Sequence, residues 1–529
     1  MTKTKPADTF DSLFERYGPQ YRWLVTLTVM LGTIATVLTS TIVNVAIPDI
    51  MGTFGMSQDQ AQLLSTGFLA SMTATMLLNA WLAETFGLRA TYFVSVAVFI
   101  VGSLMGGFAP NTGFLMFARI LQGMSAGILQ PLAMMVIFQV FPTDRRGSAM
   151  GVYGLGVVLA PALGPAIGGL MVDHFSWRYV FFLAVPFCVA GLLLSLIFIP
   201  GRSSAQSTVK RLDWVGLVLM VTFLLTLFYA LTNGQHEEWA SDQIIVILLI
   251  AVGSGLAFIA WEFYTPTPLL NLSLFKYRAY SGAAFVSFIY GAGIYGSTYL
   301  VPLFVQTVQG YTPTRSGLLL MPAGMVLAVI FPLAGRLTDG LPHYAPVLFG
   351  LVVFAFSSWL MAAADIDTSF WEFAMWLMVG RMGLGFIMPG LSAGALQVLP
   401  LSLISQGSGG INFVRQLGGA LGVNLLAVFL EFRSQLYVHA FTDAQQNGNE
   451  STMELIRGVM SLLAQGGVDE SLRMAGAMSF LSRIIYGHGN MLGFRDSFYL
   501  VAAIFLIALL PTLLMRKSAS FKPLSDPGH

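Results

Sequence analysis

Leu159-Ala160-Pro161-Ala162-Leu163-Gly164-Pro165-Ala166-Ile167-Gly168-Gly169 lies inside an uninterrupted apolar stretch, residues 149–172. A helix needs about 20 apolar residues to cross the hydrocarbon core, where no water is present to satisfy a peptide N–H or C=O. Small residues let such a helix approach its neighbours closely, and proline frees a carbonyl and bends the axis. The stretch reads as a kinked, tightly packed membrane helix. Thirteen further stretches of the same kind occupy 23–47, 60–82, 90–110, 113–137, 177–199, 213–232, 242–263, 280–305, 316–338, 344–364, 371–398, 404–430 and 495–515. The expected fold is all-α, a polytopic membrane protein with fourteen transmembrane helices.

Composition agrees. Mean hydropathy is +0.75 and 10% of residues are charged, against roughly 25% in a soluble domain. A net charge of +1 with no basic cluster speaks against a nucleic-acid partner; the partner to expect is the lipid bilayer itself. Cys188 stands alone in an apolar stretch and reads as a small buried hydrophobe. No secretory signal is expected in residues 1–21, where Phe10, Leu13, Phe14 and Tyr17 instead take the spacing of a short amphipathic helix lying on the membrane. None of the six lysines sits in a phosphate-cradling G-x-x-x-x-G-K-[ST] run, so ATP is not the expected energy source. All six histidines fall in predicted loops or the tail, no H-E-x-x-H motif occurs, and no enzyme activity, metal or cofactor is expected.

An even number of spans puts both termini on one side. Arg89, Arg145, Arg146, Arg202, Lys210, Arg211, Lys276, Arg278 and Arg336 fall in loops on that side, against Arg178 and Arg315 opposite. The positive-inside rule makes that side cytoplasmic, and the expected location is the bacterial inner membrane. The chain also echoes itself. Ala80-Trp81-Leu82-Ala83-Glu84 leaves the second span as Gly335-Arg336-Leu337-Thr338-Asp339 leaves the tenth, and Arg119 to Gly123 with Pro131 is answered by Arg381 to Gly385 with Pro389. The division to expect is a cytoplasmic segment 1–22, a six-helix half 23–199, a linker 200–212, an inserted helix pair 213–263 outside the symmetric core, a linker 264–279, a second half 280–515 and a tail 516–529. The second half contains a long periplasmic loop, 432–494, in which 455–463 and 468–485 keep helical spacing. Repeated halves are how many secondary transporters build a midplane site.

In this order along one chain, the 159–169 stretch, Ser176-Trp177-Arg178-Tyr179 with Pro186, Asp213-Trp214-Val215-Gly216, Pro302, Gln306, Gly310 and Asn412-Phe413-Val414-Arg415-Gln416-Leu417-Gly418-Gly419 resemble the major facilitator superfamily. They are most similar to its fourteen-span drug:proton antiporters of the EmrB and QacA type. The resemblance implies proton-driven multidrug efflux of amphiphilic small molecules by alternating access. It also admits a periplasmic adaptor and an outer-membrane channel as partners. It places gating on Pro161, Gly164, Pro165, Gly168 and Gly169, and on the two turns carrying Glu84, Gly87, Arg89 and Asp339. Two departures stand out: Thr39 occupies a position where relatives often carry an aspartate, and Ala80, Glu84 and Thr85 replace the family's Gly, Asp and Arg.

Ionisable residues at membrane depth are costly and count as functional candidates. The deep ones here are Arg119, Arg381 and Arg415. A positive centre favours anionic or neutral amphiphiles, since a guanidinium fork binds carboxylate bidentately. The competing expectation is that each arginine satisfies carbonyls of a bent neighbouring helix. With them, Thr39, Phe68, Gln122, Gln130, Tyr153, Tyr290, Tyr295, Asn412 and Gln416 are the candidate cavity residues. Arg119, Glu84 and Asp339 are the candidates for proton coupling, and the alternative function is proton-coupled import or export of one organic acid on the same fold.

Overall fold

A computed structural model describes residues 9–56, 58–201, 211–234, 237–445 and 450–520. Arg202, Lys210, the tail beyond residue 520 and the side chains of Pro161 and Pro165 lie outside the described residues. Within them the regular structure is helical: α1 (Phe10–Tyr17), α2 (Tyr21–Phe54), α3 (Gln58–Met76), α4 (Leu78–Phe86), α5 (Leu88–Gly107), α6 (Thr112–Val140), α7 (Arg146–His174), α8 (Tyr179–Phe182), α9 (Val185–Phe198), α10 (Trp214–Asn233), α11 (Asp242–Tyr264), α12 (Arg278–Thr307), α13 (Pro313–Gly340), α14 (Tyr344–Met361), α15 (Phe370–Gln397), α16 (Ile404–Gln445), α17 (Glu450–Gln465), α18 (Glu470–Ile507) and α19 (Leu509–Thr512).

Twelve described helices are long and apolar enough to cross a membrane, and α3 with α4, bent by 56° at their junction, makes a thirteenth span. The remaining predicted stretch, 149–172, falls in α7, whose 29 residues give a rod of about 43 Å. Helices start where a short polar side chain takes the first free amides: Asn111 for α6, Asp213 for α10, Ser241 for α11, Thr312 for α13 and Ser369 for α15. The first bundle packs α3 and α5 on α6 and α2 on α7 and α9; the second packs α12 on α16 and α15 on α13 and α14. The inserted helices α10 and α11 lie against each other, and α10 also rests on α3 and α16, so it is seated on both bundles.

Two expectations change. The amphipathic helix α1 exists, but Leu13 is buried, Tyr17 meets Phe198 edge-on at 5.3 Å, and Phe10 and Phe14 pack on the protein core. Its apolar face is turned to the first bundle instead of to lipid. The segment 432–494 carries the two helices that its spacing suggested, α17 and the start of α18, but α16 and α18 reach farther into it than a loop between spans implies. α16 runs for 42 residues, about 63 Å, or twice the roughly 30 Å of hydrocarbon. α18 begins at Glu470 and continues without a break into the last span, with α17 packed against it. Gly489 and Gly493 face α16 at Val438 and Ser434 and let the two helices close up. Arg433 then pairs with Asp496 at 2.5 Å, and Tyr437 donates to the same carboxylate at 2.8 Å. The far end of α16 and the stretch of α18 opposite it thus form one packed arm.

Gly493→Val should force α16 and α18 apart, at the ~1–3 kcal/mol typical of overpacking. Limited proteolysis of the outer arm should accelerate in this variant relative to wild type. An unchanged cleavage rate would contradict the packing described here.

Candidate substrate path and gate

α7 and α16 each change partner along their length. In the first half of α7 a Cβ at Gly147 would lie 2.7 Å from the Gly335 carbonyl, and one at Gly151 2.5 Å from the Phe331 carbonyl, both on α13 of the opposite bundle. Farther along, Gly156 meets Met30, Gly164 meets Thr41 and Gly168 meets Ile42, all on α2 of its own bundle; Gly169 has open space. The same exchange occurs in α16. Ser408 Oγ donates to the Pro131 carbonyl at 3.1 Å and Gly409 faces Met76, whereas Gly418 and Gly422 face Phe288 and Ala292 of α12. At these positions the two bundles meet at the face where α2 begins and α13 ends, and keep to themselves toward the other face.

That junction has an electrostatic clasp. The first amides of a helix have no partner within it and carry the positive end of its dipole. Gly147 N donates to Asp339 Oδ1 at 2.6 Å, Ser148 N to Asp339 Oδ2 at 3.0 Å, and Ser148 Oγ to Oδ2 as well. A carboxylate at the end of α13 therefore caps a helix of the other bundle. Glu84 sits half-buried near the end of α4, which packs against α16. Gly87 turns the chain at φ +85°, and Arg89 Nε donates to the Ile199 carbonyl at 2.7 Å, within its own bundle.

The candidate cavity residues do not share one wall. Inside the first bundle, Arg119 lies over the Phe68 ring at 4.2 Å. Its Nε donates to the Leu64 carbonyl at 3.3 Å and its Nη1 to Gln122 Oε1 at 3.1 Å, while Nη2 is buried without a partner. Gln122 in turn donates to Ser103 at 2.9 Å. Arg119 thus does meet a neighbouring helix carbonyl. Thr39 is buried and donates to Ala35 O of its own helix at 2.8 Å. Within α16, Arg415 Nη2 donates to Asn412 Oδ1 at 2.5 Å; Tyr153 OH of the first bundle donates across the seam to the same oxygen at 3.1 Å, and to the Gln130 carbonyl at 3.3 Å. Arg381 donates to Thr298 at 3.2 Å, and the Tyr290 hydroxyl is buried and unpartnered. Among the described residues none of these three arginines is paired with a carboxylate.

Tyr295, which donates to Gln416 at 3.2 Å, and Gln416 line a cavity of about 130 Å³ with Thr66, Leu69, Phe228 and Thr232. Phe228 and Thr232 belong to the inserted helix α10; a stretch apolar on every side gave no sign of which face would be turned inward. The volume is below the roughly 300–1,000 Å³ of a drug-sized pocket.

Residues 29–423 match the profile of the Major Facilitator Superfamily. The chain is 29% identical to the multidrug export protein EmrB of Escherichia coli (strain K12), over 92% of its own length and 94% of that protein. It is 26% identical to the lincomycin resistance protein LmrB of Listeria innocua serovar 6a, over 80% and 90% of the two chains. The human organic anion transporter MFSD10 shares its fold, with a TM-score of 0.61 at 14% identity, covering 93% of this chain and 99% of that one.

Asp339→Ala removes the acceptor for three donors. Loss of a cap typically costs about 1–2 kcal/mol, which shifts the open-to-closed ratio of the gate by roughly 5–30-fold. Alkylation of a cysteine placed at Val152 should rise accordingly in the Asp339→Ala background. Equal alkylation rates in both backgrounds would mean that Asp339 holds nothing shut.

Proposed function

Because the chain belongs to the Major Facilitator Superfamily and is of its EmrB/QacA type, we propose that it is a multidrug efflux transporter driven by the proton gradient. It is an integral membrane protein that moves small molecules, not an enzyme. On this reading it lies in the bacterial inner membrane with both termini cytoplasmic, and the halves 23–199 and 280–515 rock about a central site. The inserted pair 213–263 walls that site on one side.

The Asp339 carboxylate on the first amides of α7 is the observation that carries the reading. A helix N-terminus holds a carboxylate and releases a carboxylic acid, because protonation removes the charge that the dipole attracts. A proton arriving from the outer side would therefore loosen the cytoplasmic clasp, open the site inward, and be exchanged for substrate. That sequence is antiport. Glu84, beside α16, is the candidate for the equivalent step in the other half. Arg119, bonded within its own bundle, is the weaker candidate for carrying the proton.

Selectivity follows from the arginines. With no carboxylate beside Arg381 or Arg415, a cationic amphiphile meets only repulsion at the centre, even at the effective dielectric near 20 that suits protein sites. Anionic or neutral amphiphiles are the proposed substrates. The same feature supports the second reading, transport of one organic acid. The outer arm of α16, α17 and α18 is the proposed seat of a periplasmic adaptor leading to an outer-membrane channel.

Proteoliposomes with an imposed pH gradient test both readings. Efflux of several unrelated anionic or neutral amphiphiles, abolished by a protonophore, is the expected result; transport of a single acid would favour the second reading. Arg415→Ala should lower the rate at least about tenfold, as expected when a charge-assisted hydrogen bond of about 1.5–3 kcal/mol is lost, and Arg415→Lys should keep part of it. Gradient-independent transport, or a preference for quaternary ammonium compounds indifferent to both substitutions, would defeat the proposal.

A further inference from the structure

A second, larger cavity, about 720 Å³, opens at the clasped face of the seam. Arg22, Trp23 and Phe141 border it from the first bundle, Arg145 from the turn before α7, and Pro332 and Arg336 from α13 of the second. Its charge is unbalanced. Of the two acids in the wall, Asp339 is held by the α7 amides, and Asp144 lies 3.9 Å from its neighbour Arg145. Arg336 has no hydrogen bond or ion pair among the described residues. Arg22 rests its guanidinium on the Phe14 ring at 4.9 Å and leaves Nε buried without an acceptor. Two cations from opposite bundles thus face one cavity with nothing negative to hold.

The cavity wall is also amphipathic. Trp23, 54% exposed, meets Phe141 edge-on at 5.4 Å beside the arginines. An exposed tryptophan at a helix end marks the headgroup level of a bilayer, and basic pockets between spans at that level suit anionic headgroups. Guanidinium is the side chain best matched to phosphate oxygens.

We propose that this cavity binds a phosphate-bearing anion, and that the ligand is the headgroup of an anionic phospholipid, held between Arg22 of one bundle and Arg336 of the other with its chains along Trp23. A phosphate shared across the seam reinforces the closure that Asp339 makes beside it. The ligand therefore favours the state closed on this face. The inference is independent of which compound the protein exports.

The test uses the full chain in nanodiscs of phosphatidylcholine with or without phosphatidylglycerol, followed by native mass spectrometry. Wild type should retain phosphatidylglycerol selectively. The double variant Arg22→Gln/Arg336→Gln should lose retention on the order of thirtyfold, from about two favourable basic contacts. Arg22→Lys/Arg336→Lys should keep most of it, and Arg457→Gln on the outer arm should keep all. Arg336→Gln alone, at an exposed side chain that holds nothing else in place, guards against a folding defect and should show part of the loss. Millimolar inorganic phosphate that displaces the lipid would support the phosphate site but assign it to a soluble ligand, overturning the lipid source. Retention in the Gln variants equal to wild type, or no selectivity for either anion in wild type, would overturn the proposal.

Discussion

The first amides of α7 are unsatisfied within their own helix and sit at the seam between two bundles, and the structure satisfies Gly147 N and Ser148 N from the opposite side. That single arrangement constrains much around it. The carboxylate must stand at the end of α13, so α13 must reach α7 closely, and the glycines at 147, 151 and 335 are what permit it. A side chain at any of the three would hold the backbones apart and leave the amides without this acceptor. The join is polar: large apolar side chains at the same seam would leave the two α7 amides without an acceptor.

The membrane helices were legible because hydrocarbon leaves the backbone no alternative, and every predicted apolar stretch falls on a described helix. The echo between Ala80 to Glu84 and Gly335 to Asp339 pointed to both carboxylates, and of the two the contact with the first amides of α7 is made by Asp339. What hydropathy could not convey was length beyond the bilayer. The role of Gly489 and Gly493 as contact surface appears only when Ser434 and Val438 are seen opposite. The apolar face of α1 was plain, but whether lipid or protein covers it depends on where Phe198 ends up.

The centre shows the same limit. Arg119, Gln122 and Phe68, named together as candidate cavity residues, do form one cluster, yet that cluster turns inward to Leu64 and Ser103. Tyr153, Asn412 and Arg415 come from two helices 259 residues apart at the Tyr153 to Asn412 bond, and they meet. Phe228 and Thr232 were invisible because α10 is apolar on every side, so no periodicity marked its inner face.

Buried arginines without carboxylates pose an energetic question that the closed geometry leaves open by design. Removing a charge from water costs several kcal/mol unless hydrogen bonds or an opposite charge replace the lost hydration. Arg415 has an amide oxygen, Arg381 a hydroxyl, and Arg119 a carbonyl and an amide, with one nitrogen of Arg119 left bare. Neutral acceptors hold a guanidinium less strongly than an anion does. If a substrate anion reaches this centre, it binds a site already desolvated and already positioned, and the hydration cost has been met in the fold of the protein. Proton coupling then has a reason to sit elsewhere. On the proposed mechanism a centre that must stay positive to hold an anion is a poor place to bind protons, whereas the proposed gate residue Asp339 stands apart from the three arginines, on the first amides of α7.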